Sequence, residues 1–356
     1  MGRFHYLLGL LLLFICSFLW IASDLAKQPP SIVLTHGSCV CSEDNVTAAS
    51  DAAIIPSHRP EPPIKDMKPI SKPKIPSYLP IANSHDHHTQ SSIPFKLWQK
   101  AGSQKINEAR QKDVHSWLDV NPRLRHEILT DDSADEYARE HFAEYPDVLN
   151  HYLSLPVPIL KADLLRQLIL YIDGGIWSDL DVTCHRPIST WIPEQYQSKT
   201  NVVVGLEFDG FQFASWTIMT KPKTSHIVAV IKYVIDKLKA TAAQHHVTMA
   251  ELNMTMINDV VELTGPQAMT VAILQNLQKE MGIPVGRANI TNIKEPTLFQ
   301  DVLVLPNAAF ASRQGGYPED RGPYLVEHHY AGSWKNANGG ETKSIAPHET
   351  YVTRWT

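Results

Sequence analysis

The sequence predicts an α/β domain with a mainly parallel central sheet, and three observations carry that expectation. Stretches with apolar residues at helical spacing alternate with short runs rich in β-branched and aromatic residues. The alternation starts at Ile93, directly after a Pro-rich stretch, and shows no internal repeat. A chain of 356 residues leaves ample length beyond that point for one large core.

The chain opens on a segment of a different kind. Residues 6–22 carry no charge and are mostly Leu, Ile and Phe, with Arg3 before them and Asp24 and Lys27 after. A cleaved signal peptide usually has an apolar core of about 7–15 residues and a spanning helix needs about 17–25, so the run reads as an uncleaved signal anchor. Residues 1–5 would form a cytoplasmic tail by the positive-inside bias, with all that follows luminal, as in a single-pass type II membrane protein. Sequons at Asn45, Asn253 and Asn289 agree with a luminal body.

Residues 23–92 read as a stem. Prolines at 56, 60, 62, 63, 69, 73, 76 and 80 block helices and remove ladder donors, which predicts an extended spacer. His85, Asp86, His87 and His88 within it resemble a metal tract, but a solvated linker suits them better. Residues 93–356 are the expected globular domain. Helices are predicted at 104–120, 133–144, 158–172, 224–239 and 266–281, the fourth marked by Ile227, Ile231, Val234, Ile235 and Leu238. Strands are predicted at 95–98, 126–129, 176–182, 202–206, 216–219 and 302–305.

Composition narrows the function classes. A formal net charge of -5 with scattered Lys and Arg gives no basic stripe, which argues against a nucleic-acid partner. Cysteines at 16, 39, 41 and 184 are too few and too uneven for a disulfide framework or a zinc-finger pattern.

The chemistry concentrates between 158 and 182. Ile159, Leu160, Leu164, Leu165, Leu168, Ile169 and Ile172 form the apolar stripe of a helix ended by Gly174 and Gly175, with Asp163 and Arg166 at i and i+3 on another face. In the strand that follows, side chains two apart share a face, so Trp177, Asp179 and Asp181 are expected on one side and Ile176, Ser178, Leu180 and Val182 on the other. Two carboxylates aimed at one place repel unless a proton or cation lies between them, and a hard divalent ion is the natural occupant. Near the C-terminus, EHHYAGSWK over 327–335 supplies histidines able to complete a metal site, a glycine for close approach and a lysine suited to phosphate.

Taken in order, IPFKLWQ (93–99), ILKADLLR (159–166), DGGIWSDLD (173–181), TGP (264–266) and HHYAGSW (328–334) resemble glycosyltransferase family 32, and within it the fungal initiation-specific α-1,6-mannosyltransferases. The resemblance runs from about Ile93 to the C-terminus. It implies a GT-A type nucleotide-sugar-binding fold, a GDP-mannose donor, Mn²⁺, retention of configuration, an N-glycan core acceptor on glycoproteins, a Golgi membrane location and a Golgi mannosyltransferase complex as partner. It also implies roles: Trp98 against the nucleotide base, Asp163 and Arg166 on donor-sugar hydroxyls, Asp179 and Asp181 on ribose and metal, and His329, in preference to His328, as the remaining metal ligand. Lys335 would touch the diphosphate, since His329, Gly332 and Lys335 repeat the H-x-x-G-x-x-K spacing of related metal-dependent transferases. Departing NDP would be stabilised by the metal, Lys335 and Arg166. Thr264, Gly265 and Pro266 receive no chemistry beyond a helix start, and Glu207, Asp209 and Asp259 are candidate nucleophiles without positional support. Trp177 stands where many relatives carry Tyr, and Phe95 where a basic residue is common, so acceptor or base contacts can differ. Three other readings stay open: a mannosyltransferase acting on inositol phosphoceramide, a luminal glycan-binding protein without turnover, and a metal-dependent hydrolase.

Overall fold

The computed structural model describes residues 79–81, 92–102, 106–312, 314 and 324–332. The tail, the anchor at 6–22, nearly all of the stem, the cluster His85–His88, Cys16, Cys39, Cys41, Asn45 and Lys335 lie outside the described residues. Among the described residues no helix is long and apolar enough to cross a membrane.

The domain opens with β1 (Lys96–Lys100), α1 (Glu108–Val120) and β2 (Arg125–Leu129). Asn107 caps α1 by accepting the Arg110 N–H at 3.0 Å, which satisfies one of the donors that every helix start leaves open. Helices α2 (Asp131–His141), α3 (Pro146–Ser154) and α4 (Pro158–Ile172) follow. Thr130 and Ser133 form a reciprocal cap on α2. Pro158 occupies the first turn of α4, where its missing N–H costs nothing. Then come β3 (Gly175–Ser178), β4 (Val182–Cys184), β5 (Val202–Glu207) and β6 (Gln212–Thr220). The remainder is α5 (Ser225–Gln244), α6 (Val260–Leu263), α7 (Pro266–Met281), α8 (Arg287–Ile290), β7 (Thr297–Phe299), β8 (Val302–Leu305), α9 (Asn307–Ala311) and β9 (Val326–His328).

Seven strands form the central sheet in the order β2-β1-β3-β6-β5-β8-β7. Five run in one direction, with β6 and β7 reversed, so the expected mainly parallel α/β architecture is present. Both faces are covered. Trp98, Trp177, Val204 and Ile218 pack with α2 to α7 on one side, while Leu97, Ile176, Val203 and Met219 pack with Trp117, Trp191 and Phe310 on the other. Near-continuous apolar strands such as β5 follow from this double burial.

All five expected helices are found, and each expected strand position carries a strand except in one place. The run 176–182 does not continue as one strand. It leaves the central sheet after Ser178, turns through Asp179–Asp181, and resumes as β4, which pairs with β9 in a separate two-stranded sheet. Alternation in the sequence continues smoothly across the break, because Val182 still buries a side chain, now beneath α1. The turn before β3 needs glycine twice. Gly174 sits at φ 63°, and a Cβ there would lie 2.7 Å from the Thr220 carbonyl oxygen; Gly175, at φ 95°, would meet the Lys96 carbonyl oxygen at 2.7 Å. Helix α4 is thereby held directly against the start of β3.

Candidate active site

The site lies where β1 and β3 end side by side and the chain departs for β4. Leaving the sheet exposes three consecutive residues, and backbone bonds fix the first. The Asp179 N–H donates to the Trp216 carbonyl at 2.8 Å, and the Gln99 amide donates to the Asp179 carbonyl at 3.3 Å. Gln99 is itself oriented by His126, whose Nε2 lies 2.8 Å from its Oε1.

Beneath the turn is a buried charge web. Asp179 Oδ1 accepts from Trp177 Nε1 at 2.8 Å and from Arg166 Nη2 at 3.1 Å. Arg166 Nη1 lies 3.0 Å from Asp163 Oδ1, and Asp163 Oδ2 accepts from the Thr264 hydroxyl at 2.7 Å. The guanidinium is 4% exposed and lies 5.4 Å from the Trp177 ring. Burial alone would lower the Arg166 pKa, but the carboxylates of Asp179 and Asp163 outweigh it and raise it, so the charge is kept. Asp163 and Arg166 are each 4% exposed and contact one another, Thr264 and Asp179. Thr264, expected only to precede a helix, completes this web.

The second half arrives from the C-terminal segment. Register in the small sheet sets Val182 opposite His328. Asp181 Oδ2 accepts the Ala331 N–H at 2.9 Å and lies 3.4 Å from His328 Nε2, while the Asp181 carbonyl accepts the His329 N–H at 2.9 Å. Burial pushes the Asp181 carboxyl up, yet His328 and the Ala331 N–H overcome that and hold it well below the usual carboxylate range. Ligand atoms of Asp179, Asp181 and His328 all lie within 4.8 Å of one another. Two ionisable oxygens and an imidazole suit a divalent cation. His328 is also held, with its ring 4.5 Å from Trp216 and 4.0 Å from Tyr330, and its buried Nδ1 has no hydrogen-bond partner among the described residues.

Two assignments change. His328, the last residue of β9, and not His329 joins the carboxylates; His329 follows the strand and turns toward Asp113 at 3.2 Å and Thr183 at 2.8 Å. Trp98 is not positioned to stack on a base. It is 1% exposed in the middle of the sheet, edge-on to Tyr137, with its Nε1 donating to the Gly174 carbonyl at 3.2 Å. Of the candidate nucleophiles, Asp259 caps α6 through the Val261 N–H, and Glu207 is buried at the end of β5. Of Asp209 only the backbone is described.

The buried Asp–Arg pair and the D-x-D turn above it fall within a stretch that resembles a known family. Residues 107–198 match the family described as "Glycosyltransferase sugar-binding region containing DXD motif", which spans the helix, the glycine turn and both aspartates. This stretch of the α/β domain is thus similar to the sugar-binding region of DXD-containing glycosyltransferases. The chain is 31% identical to an initiation-specific alpha-1,6-mannosyltransferase of Schizosaccharomyces pombe over 265 residues, 69% of this chain and 65% of the relative, just under two thirds of its length. It is 29% identical to the putative glycosyltransferase HOC1 of Saccharomyces cerevisiae over 74% of this chain and 70% of that one. A shorter stretch of 109 residues, 30% of each chain, is 39% identical to inositol phosphoceramide mannosyltransferase 3 of S. pombe. Among solved structures, PaToxG glycosyltransferase aligns at TM-score 0.39 and 16% identity over 53% of this chain and 72% of that one. Mouse xyloside xylosyltransferase 1 aligns at 0.35 and 10% over 67% and 98%.

Proposed function

We propose that the protein is a retaining α-1,6-mannosyltransferase that moves mannose from GDP-mannose to an N-glycan core, anchored by residues 6–22 in the Golgi membrane with its domain in the lumen. The observation that carries this reading is the convergence of Asp179, Asp181 and His328 on one point above the Asp163–Arg166 pair. Relatives that bear the α-1,6-mannosyltransferase name support the sugar and the linkage.

In this reading Asp181 and His328 hold a divalent ion, Mn²⁺ being the expected one, and Asp179 faces the ribose or shares the ion. A cation bound there supplies Lewis-acid neutralisation of the diphosphate. Arg166 and Asp163 act from below: they fix the Asp179 carboxylate so that it meets the donor without reorganising. Lys335 is retained as the diphosphate contact by its place in the sequence. The acceptor hydroxyl forms its bond to the anomeric carbon on the face from which the diphosphate leaves, so placement of that hydroxyl matters more than its activation.

The test uses the full chain with GDP-mannose, Mn²⁺ and a panel of high-mannose glycans and inositol phosphoceramides. An α-1,6-linked mannose on the glycan is the expected product. Mannose on the lipid alone would move the acceptor to the other branch of the family, and free mannose without acceptor would indicate a hydrolase. Transfer only from a different nucleotide sugar would overturn the donor.

A further inference from the structure

Glu207 ends β5 and is 3% exposed, and among the described residues the donors that reach its carboxylate are neutral groups. Oε1 accepts from Trp216 Nε1 at 2.8 Å, Gln314 Nε2 at 3.2 Å and the Tyr330 hydroxyl at 3.2 Å; Oε2 accepts from Gln212 Nε2 at 3.0 Å. Burying a carboxylate is costly unless its oxygens are saturated, and here four donors from three separate parts of the chain saturate it.

The network has a direction. Gln212 Oε1 accepts from Gln267 Nε2 at 2.6 Å, and Gln267 Oε1 in turn accepts from the Arg287 guanidinium. An acceptor-only carboxylate at one end and a donor-only guanidinium at the other leave each amide between them a single orientation. A glutamine at 207 would place an amide donor against the Gln212 amide donor, so the acid itself is required and size alone is not enough.

Tyr330 joins this network to the metal-ligand cluster. It adopts φ 47°, a left-handed conformation that a bulky residue takes only when its surroundings impose it. Its two neighbours are the residues whose N–H groups bind Asp181, His329 to the carbonyl and Ala331 to Oδ2. Three residues before Ala331 stands His328, with the Trp216 ring packed on it. Trp216 is thus shared: its Nε1 donates to Glu207 while its ring supports the imidazole.

We propose that Glu207 is a positioning residue that latches Tyr330 and Trp216, and through them sets the C-terminal segment so that His328 and the Ala331 N–H meet Asp181. The inference rests on the proposed metal-dependent transfer and adds a residue that touches neither metal nor donor. Glu207 is accordingly assigned no nucleophilic role.

Full-length wild type, Glu207→Gln and Tyr330→Phe are compared by thermal melting, by calorimetric titration with Mn²⁺ in the presence of GDP, and by initial rates across Mn²⁺ concentrations. Both variants are expected to need about 10- to 100-fold more Mn²⁺ for half-maximal binding and transfer, as for other groups that orient metal ligands. At saturating Mn²⁺ the acceptor KM should equal that of wild type. A general structural defect would not give this split. Should Glu207→Gln fail to fold, Tyr330→Phe, which removes a single hydroxyl, decides alone. Variants that melt like wild type with an unshifted Mn²⁺ requirement, beside an active wild type, overturn the latch while leaving the proposed function intact. A wild type that binds no Mn²⁺ and transfers nothing overturns both.

Discussion

The two halves of the site are built differently. Arg166 and Asp179 meet across 13 residues of chain, through one helix, one glycine turn and one short strand, and Asp163 and Arg166 are packed beneath the turn that carries Asp179. Ala331 and Asp181 meet across 150 residues, through a two-stranded sheet and a few hydrogen bonds. The first half is a product of local packing and is set once α4 docks on β3. The second depends on long-range pairing, which costs more loop-closure entropy, and is held by the β4–β9 ladder and by the bonds of Trp216 and Tyr330 to Glu207. This contrast in construction predicts a stiffer Asp179 side and a more adjustable His328 side.

The largest expected effect lies where the halves meet. Asp181→Asn should reduce metal-dependent transfer by about 10³-fold or more, with an unchanged far-UV spectrum; normal turnover would sink the proposed chemistry. Next comes the packed half. Asp163→Ala leaves the buried guanidinium with one carboxylate, and urea denaturation should show a loss of about 3–5 kcal/mol. An equal loss from His328→Asn would erase the contrast between the halves. On the adjustable side, His328→Asn should weaken Mn²⁺ binding about 10- to 100-fold by calorimetry, with His329→Asn much closer to wild type. The reverse ranking would restore His329 as the ligand.

A smaller effect concerns pH. Burial lowers the His126 pKa to about 4, against an ordinary value of 6.5. The unfolded chain then takes up the proton first, so His126 makes stability fall as pH drops from 6.5 toward 4 and has no further effect below that. The span amounts to roughly 2 kcal/mol after partial exposure is allowed for. His126→Asn should flatten that part of a plot of Tm against pH. Smallest of all is the effect on catalysis of Trp98→Phe, which loses the hydrogen bond to Gly174 and part of a buried ring, and so lowers Tm, but should leave the donor KM unchanged. A raised donor KM would return Trp98 to the base site.

These contrasts explain what could be read from the sequence. Helix α4, its glycine stop and the pair Asp163 and Arg166 were legible because apolar spacing and residue type are local signals. Asp179 and Asp181 were legible for the same reason, although the strand expected to carry them ends at Ser178 and a turn does the aiming. Trp98 was misplaced because a residue on a central strand looks alike in sequence whether its face meets a ligand or a helix. His328 and His329 could not be separated, since their directions depend on pairing with a strand far away in the chain. Thr264 and Glu207 carried only weak signals: a hydroxyl before a Gly-Pro helix start, and an acid closing an apolar strand.

That same pairing is proofread by its neighbours. With two histidines in succession, a one-residue slip of β9 along β4 would set His329 opposite Val182 in place of His328, but it would also bring Glu327 opposite the buried Cys184 where Val326 now packs. The acid beside the histidines thus penalises the very slip that a doubled imidazole would otherwise leave unmarked.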